Sequence, residues 1–352
     1  MTEKTIAVVA GDGIGVDVTR EALKVLEAVG DVLDVRFRTT EYDYGAETYL
    51  RTGVSLPPGG LEEFRSHDAI LMGAFGDPRV PDMKHAADIL LGTRFGLDLY
   101  ANIRPVRLLD ERLCPLKGRG LGDVDFVVLR ENTEGLYVGM GGAFKKGTPD
   151  EIAIQEDVNT RKGVERIIRL AFERARQSGR KKVLMSDKSN VLTFGHDLWQ
   201  RVFAEVGSGY PEMEASHLYV DALSMQMIKN PGQFEVIVTC NMFGDIVTDI
   251  GAQLQGGLGM AASGNINPEG AAMFEPVHGS APKYAGRNTA NPMGAILSCQ
   301  MMLEHLGYAD GANLIERAVT SCLASRNCTR DLDGHLGTSE TGDAICGQIR
   351  SI

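Results

Sequence analysis

The sequence predicts an α/β fold, and three observations bear on it. The chain has 352 residues, enough for two domains at roughly 100–200 residues each, or for one large domain with a shared core. Short apolar runs alternate with amphipathic stretches of helical spacing along its length. Polar or Gly-rich residues follow each apolar run, so chemistry is expected to collect at strand ends.

In order, Thr5–Ala10 (TIAVVA) reads as a buried strand, Gly11–Gly15 as a loop, and Val16–Val29 as a helix. Ala69–Met72, Phe126–Leu129, Lys182–Met185 and Glu235–Thr239 read as further strands. Gly139–Asp150 (GMGGAFKKGTPD) is the most loop-like internal stretch, a flap or a dimerisation arm. Phe274–Pro292 reads as a long irregular loop, and loops of that length are uncommon unless functional.

Composition is that of a folded globular protein: 43% apolar, 24% charged, net charge −11. The acidic balance argues against nucleic-acid and anionic-membrane partners, both of which select basic surfaces. No run approaches the 18 apolar residues or so of a membrane span. The opening MTEKTIAVVAGDG lacks the pattern of a secretion signal. Six scattered cysteines without a C-x-x-C pair read as reduced thiols, so a cytoplasmic location is expected.

Five constellations carry candidate chemistry. Gly11-Asp12-Gly13-Ile14-Gly15 has G-x-G-x-G spacing, not the dinucleotide fingerprint, and a plain tight turn is an equal reading. Arg94, Arg104 and Arg130 are suited to bidentate capture of carboxylates, although each alone also fits a surface ion pair. Asp245 and Asp249, at i and i+4, share one helix face; such a pair repels unless a cation lies between, and hard oxygen ligands favour Mg²⁺ or Mn²⁺. Asp221, at the end of a short apolar run, is a third such candidate; helix capping and surface acidity are the alternative for the pair. Lys188, just past a strand, is a candidate proton carrier, and Glu275 and His278 lie in the long loop.

Together these segments resemble the β-decarboxylating dehydrogenases, which act on isopropylmalate, isocitrate, homoisocitrate, tartrate or D-malate. The resemblance rests on R-x₉-R-P, RENTEGLY, DKSN, YVDA, NMFGDIVTD and EPVHGSAP, and runs from GDGIG to TSETGDAI. It implies that family's two-domain fold of parallel and mixed sheets flanked by helices, not a true Rossmann fold. The implied domains are 1–98 plus 254–352, larger and cofactor-binding, and 99–253, smaller, with the dimer interface and an arm at about 137–160. It implies Arg94, Arg104 and Arg130 as substrate-carboxylate residues, Tyr137 and Lys188 as catalytic, and Asp221, Asp245 and Asp249 as metal ligands. It implies Glu275, His278, Gly279, Ser280, Ala281 and Asn291 as cofactor contacts. A homodimer with shared active sites follows, since in the family the lysine and first aspartate come from the partner. The expected reaction is metal-dependent oxidation of a small dicarboxylic 2-hydroxy acid, then loss of CO₂. A non-catalytic regulatory subunit is the rival reading; it would lack one of these aspartates, the lysine or the tyrosine.

Leu90 and Leu91 present apolar side chains where isocitrate and homoisocitrate enzymes place polar partners, which favours 3-isopropylmalate. Ala87 and the RENTEG reading depart from isopropylmalate enzymes, so D-malate and tartrate stay open, with homoisocitrate and isocitrate behind them. The cofactor is NAD or NADP. Lys283 and Tyr284 after GSAP, with Arg330, resemble the NADP-dependent isocitrate enzymes.

Overall fold

The structure is a computed structural model that describes residues 2–351. The chain divides into two compact units. The first comprises Met1–Leu99, Arg107–Leu121 and Ala252–Ile352; the second comprises Tyr100–Val106 and Gly122–Gly251.

The elements begin with β1 (Thr2–Gly11), α1 (Ile14–Leu33), β2 (Val35–Glu41), α2 (Ala46–Thr52), α3 (Gly60–Arg65), β3 (Ala69–Ala74) and α4 (Lys84–Gly96). Then come β4 (Ala101–Arg107), β5 (Asp125–Glu131), β6 (Gly141–Phe144), β7 (Ile152–Gln155), α5 (Arg161–Gln177), β8 (Lys182–Asp187), α6 (Gly195–Gly207) and β9 (Glu214–Tyr219). The last are α7 (Val220–Lys229), β10 (Val236–Thr239), α8 (Asn241–Leu254), β11 (Ala262–Ile266), β12 (Ala272–Pro276), α9 (Met293–His305), α10 (Ala309–Ala324) and α11 (Thr338–Ser351).

In the first unit the strand order is β2-β1-β3-β12-β11, parallel except for the antiparallel β11–β12 pair. β1 and β3 are apolar because they are covered on both faces, as central parallel strands must be. α1 buries Val18, Ala22, Val25, Leu26 and Val29, a stripe at helical spacing. In the second unit the order is β4-β5-β10-β8-β9, with β5, β10, β8 and β9 parallel neighbours. α5 starts where the Thr160 hydroxyl accepts from the Gly163 amide, a side-chain cap, and then packs Val164, Ile167, Ile168, Ala171 and Phe172 into that unit's core.

Two expectations are corrected. Gly139–Asp150 is not a plain loop: Gly141–Phe144 pairs antiparallel with Ile152–Gln155, forming a hairpin of four-residue strands. Glu275 lies on β12 rather than in an irregular loop, because the run Ala272–Pro276 pairs with both β11 and β3; the irregular stretch begins at Val277. Among the described residues, no helix is long and apolar enough to cross a membrane.

Candidate active site

The turn Gly11–Gly15 joins β1 to α1. A Cβ on Gly13 (φ 56°) would lie 2.2 Å from the Ser280 carbonyl oxygen, and the Ile14 amide donates to that same oxygen at 2.7 Å. The glycine therefore admits the chain's own backbone, which favours the tight-turn reading over a pyrophosphate cradle.

In the first unit, α4 carries Leu90 and Leu91, both half-buried, and buried Arg94. The Arg94 Nη2 donates to Glu275 Oε1 at 2.7 Å, and the Asn265 side-chain amide donates to the same oxygen at 2.8 Å. Arg94 Nε is buried without a protein partner, so the guanidinium retains a donor for an anion. After β12 the chain runs through His278, Gly279, Ser280 and Ala281, the last held at φ 35°, a left-handed conformation that strains a residue with a Cβ. The His278 Nδ1 sits 3.0 Å from the Gly279 carbonyl, which accepts only, so Nδ1 carries the hydrogen. Nε2 is thereby an acceptor, buried and without a protein partner, and burial lowers the imidazole's pKa and keeps it neutral. A ligand N–H donor fits that nitrogen. Lys283 and Tyr284 are exposed, with the ammonium 4.7 Å from the ring centre. Asn291 donates to Asp331 at 3.0 Å, which ties the segment bearing exposed Arg330 to this loop.

In the second unit, α8 lays Asn241, Asp245, Thr248 and Asp249 along one face, at helical spacing. Asp245 Oδ1 accepts from Arg130 Nη1 at 2.5 Å and from Arg104 Nη2 at 3.3 Å, while Oδ2 accepts from the Tyr137 hydroxyl at 2.9 Å. Asn241 accepts from Arg130 Nε and Nη2, and Thr248 accepts from Arg104 Nη1, so both buried arginines are oriented by the helix that carries the acids. Burial, then the Asp245 charge, holds the Tyr137 phenol above its usual pKa and keeps it protonated. Asp249 is exposed, yet partial burial and the neighbouring Asp245 charge raise its carboxyl despite the Arg104 charge. A cation beside Asp249 would offset the Asp245 charge that disfavours its ionised form.

Lys188 follows β8, and its ammonium donates to Asp221 Oδ1 at 2.7 Å; the Lys188 hydrogen bond holds Asp221 below its ordinary pKa. Asp221 opens α7 and forms this separate pair, away from the Asp245 cluster: among the described residues no three His, Cys, Asp or Glu side chains gather as a metal site within one chain.

Asn241, Thr248 and Asn265 were not singled out from the sequence. The first two share a helical face with Asp245 and were open to detection by that spacing; Asn265 has no local signal.

The family model for isocitrate/isopropylmalate dehydrogenases matches residues 5–345. The chain belongs to that family. A 3-isopropylmalate dehydrogenase of Thermobifida fusca is 50% identical over 99% of both chains. One of Mycobacterium tuberculosis (strain H37Rv) is 48% identical over 98% of this chain and 99% of its own. Among solved structures, isocitrate dehydrogenase from Methylococcus capsulatus superposes with a TM-score of 0.88 at 38% identity, covering 99% of this chain and all of that one. The TT0538 protein from Thermus thermophilus gives 0.87 at 39%, covering 99% of this chain and 68% of that one. As a family member the protein is a decarboxylating dehydrogenase.

Proposed function

We propose that the protein is a cytoplasmic 3-isopropylmalate dehydrogenase, which oxidises its substrate with NADP or NAD, releases CO₂ and forms 2-oxoisocaproate for leucine biosynthesis. Leu90 and Leu91, three and four residues before a buried carboxylate-binding arginine, are the observation that carries the substrate choice. Burying a branched alkyl group against two leucines is worth roughly 1–3 kcal/mol. Near-full-length relatives at about 50% identity that bear the same name support it.

Arg94, Arg104 and Arg130 are assigned to the substrate's carboxylates. Asp245 and Asp249 would hold Mg²⁺ or Mn²⁺ together with Asp221 of a second copy, since Asp221 is bound to Lys188 in its own chain. The chemistry such an ion would supply is a lowered pKa of the substrate hydroxyl and polarisation of the ketone. Glu275, His278, Gly279, Ser280, Ala281 and Asn291 would hold the dinucleotide, which would supply the hydride acceptor. As the neutral amine Lys188 would take the hydroxyl proton, and Asp221 beside it would stabilise the ammonium that results. Tyr137, kept protonated by burial and by Asp245, supplies a proton at C3 after CO₂ leaves. Lys283, Tyr284 and Arg330 favour a 2′-phosphate and hence NADP.

The test is a panel of 3-isopropylmalate, D-malate, tartrate, isocitrate and homoisocitrate, assayed with each cofactor and Mn²⁺ while following reduced nicotinamide and CO₂ together. The highest kcat/KM is expected for 3-isopropylmalate, with stoichiometric CO₂. A preference for isocitrate or D-malate would overturn the reading of Leu90 and Leu91. Lys283→Asp should shift preference toward NAD; an unchanged NADP/NAD ratio would remove the phosphate-binding role.

A further inference from the structure

Asp12, in the turn between β1 and α1, belongs to neither cluster. Its carboxylate is buried and accepts three hydrogen bonds from three separate segments. Oδ1 accepts from the Ala46 amide at 2.7 Å, at the start of α2. Oδ2 accepts from the Gly76 amide at 2.8 Å and lies 2.8 Å from His85 Nε2. A carboxylate oxygen accepts only, so His85 Nε2 carries the hydrogen. His85 is fully buried in the first turn of α4, and Tyr49 of α2 stacks on its ring at 6.0 Å.

The chain of contacts continues past Asp12. The Gly76 carbonyl accepts from the Ser280 hydroxyl at 2.6 Å, and the Ile14 amide, two residues after Asp12, donates to the Ser280 carbonyl at 2.7 Å. One carboxylate therefore ties α4, which bears Leu90, Leu91 and Arg94, to the loop that begins at Val277. Polar contacts hold α4 along its length: His85–Asp12 at its start, Asp88 accepting from the Ser55 hydroxyl at 2.8 Å in its middle, and Arg94–Glu275 near its end, where the Gly96 carbonyl also accepts from Arg65. Its N-cap residue, Met83, makes no side-chain cap. Were Arg94 to turn from Glu275 to a substrate carboxylate, His85–Asp12 would remain as the buried anchor that links the helix to the segment leading to Ser280, with the more exposed Ser55–Asp88 contact beside it.

We propose that Asp12, acting through His85, is a positioning residue that couples the substrate-facing helix to the cofactor loop, so that each ligand tightens the other's binding. The inference rests on the roles of α4 and this loop under the proposed function. Neither residue touches a reacting atom, so the signature is in KM and Kd rather than in the chemical step.

The test compares wild type, Asp12→Asn, His85→Phe and His85→Gln. Asp12→Asn removes an acceptor that serves two donors. His85→Phe keeps the ring and its Tyr49 contact but loses the donor, and His85→Gln restores an N–H. NADP and NAD Kd are measured by fluorescence titration with and without the 2-hydroxy acid, beside KM, kcat and melting temperature. In Asp12→Asn and His85→Phe, hydroxy-acid KM and cofactor Kd are expected to rise about five- to tenfold, and the tightening of one ligand by the other to fall by a similar factor. kcat should stay within about twofold, and His85→Gln should restore much of the linkage. Unchanged KM, Kd and linkage with a lower melting temperature would overturn the proposal and leave Asp12 purely structural. Should Asp12→Asn not fold, the His85→Phe and His85→Gln pair decides. Failure of wild type on 3-isopropylmalate would sink the substrate assignment alone; the linkage is then read on the best substrate of the panel.

Discussion

His196 illustrates how a side chain outside the chemistry shapes it. Its Nδ1 accepts from the backbone amide of Lys188 at 2.8 Å, so its hydrogen sits on Nε2, which lies 4.0 Å from Asp157. Burial, partly opposed by the Asp187 and Asp157 charges, lowers its pKa below the ordinary 6.5. The sign of the linkage follows. The unfolded chain takes up this proton first as pH falls, so stability is lost from about pH 6.5 down to the folded value, by at most about 1.4 kcal/mol per pH unit. Protonation also removes the acceptor that fixes Lys188. His196→Asn keeps an acceptor but does not titrate. Urea unfolding at pH 7.5 and 5.5 should show a smaller acid-side loss for His196→Asn than for wild type. Equal losses would mean that His196 is not held neutral in the fold.

Helix α8 concentrates the second unit's chemistry because one 3.6-residue period serves two tasks. Asn241, Asp245, Thr248 and Asp249 face the arginines, while Val247, Ala252 and Leu254 are buried. Gly244 lies under Arg130: an added Cβ would sit 2.6 Å from its Cβ and 2.5 Å from its Cγ, the inflexible root of the side chain. In an ordinary helix interior Gly→Ala gains about 0.5–1 kcal/mol, but overpacking costs about 1–3 kcal/mol, so the clash decides the sign here. Gly244→Ala is expected to lower the melting temperature and, by displacing Arg130, to reduce kcat/KM; a stabilised variant with full activity would contradict this packing. Much of α8 was legible in advance, because Asp245 and Asp249 stand one turn apart after an apolar strand. The hairpin Gly141–Gln155 was not, because its four-residue strands carry too few apolar residues between Gly-rich turns to show alternation. Nor was the Arg94–Glu275 pair, whose members are 181 residues apart and meet only through the pairing of β12 with β3. Local patterns encode faces and turns; contacts made by sheet order leave no local trace.

At the scale of the molecule, the proposed pairing of two copies bears on the exposed apolar groups and on the acids. Phe194 is 91% exposed, Met225 66% and Val191 64%, with Ile228 nearby in sequence, and the hairpin exposes Phe144, Ile152 and Ile154. All lie in the second unit, where the second copy proposed above would cover them. The same unit holds Lys188–Asp221 and Arg104–Arg130–Tyr137–Asp245 as separate clusters. If each site takes Lys188 and Asp221 from one chain and Asp245 and Asp249 from the other, two inactive proteins should complement. A Lys188→Met chain lacks its lysine, and an Asp245→Asn chain lacks its acid; each homodimer is dead at both sites. A mixed dimer has one site with both defects and one with neither. Random exchange of equal amounts makes half the dimers mixed, so about a quarter of wild-type activity should appear. The experiment mixes the purified variants under mild denaturant, removes it, and follows reduced nicotinamide. Recovery near that level requires sites shared between chains. No recovery, with mixed dimers demonstrated by differential tagging, would place every catalytic group of a site on one chain and overturn the shared-site assignment of Asp221.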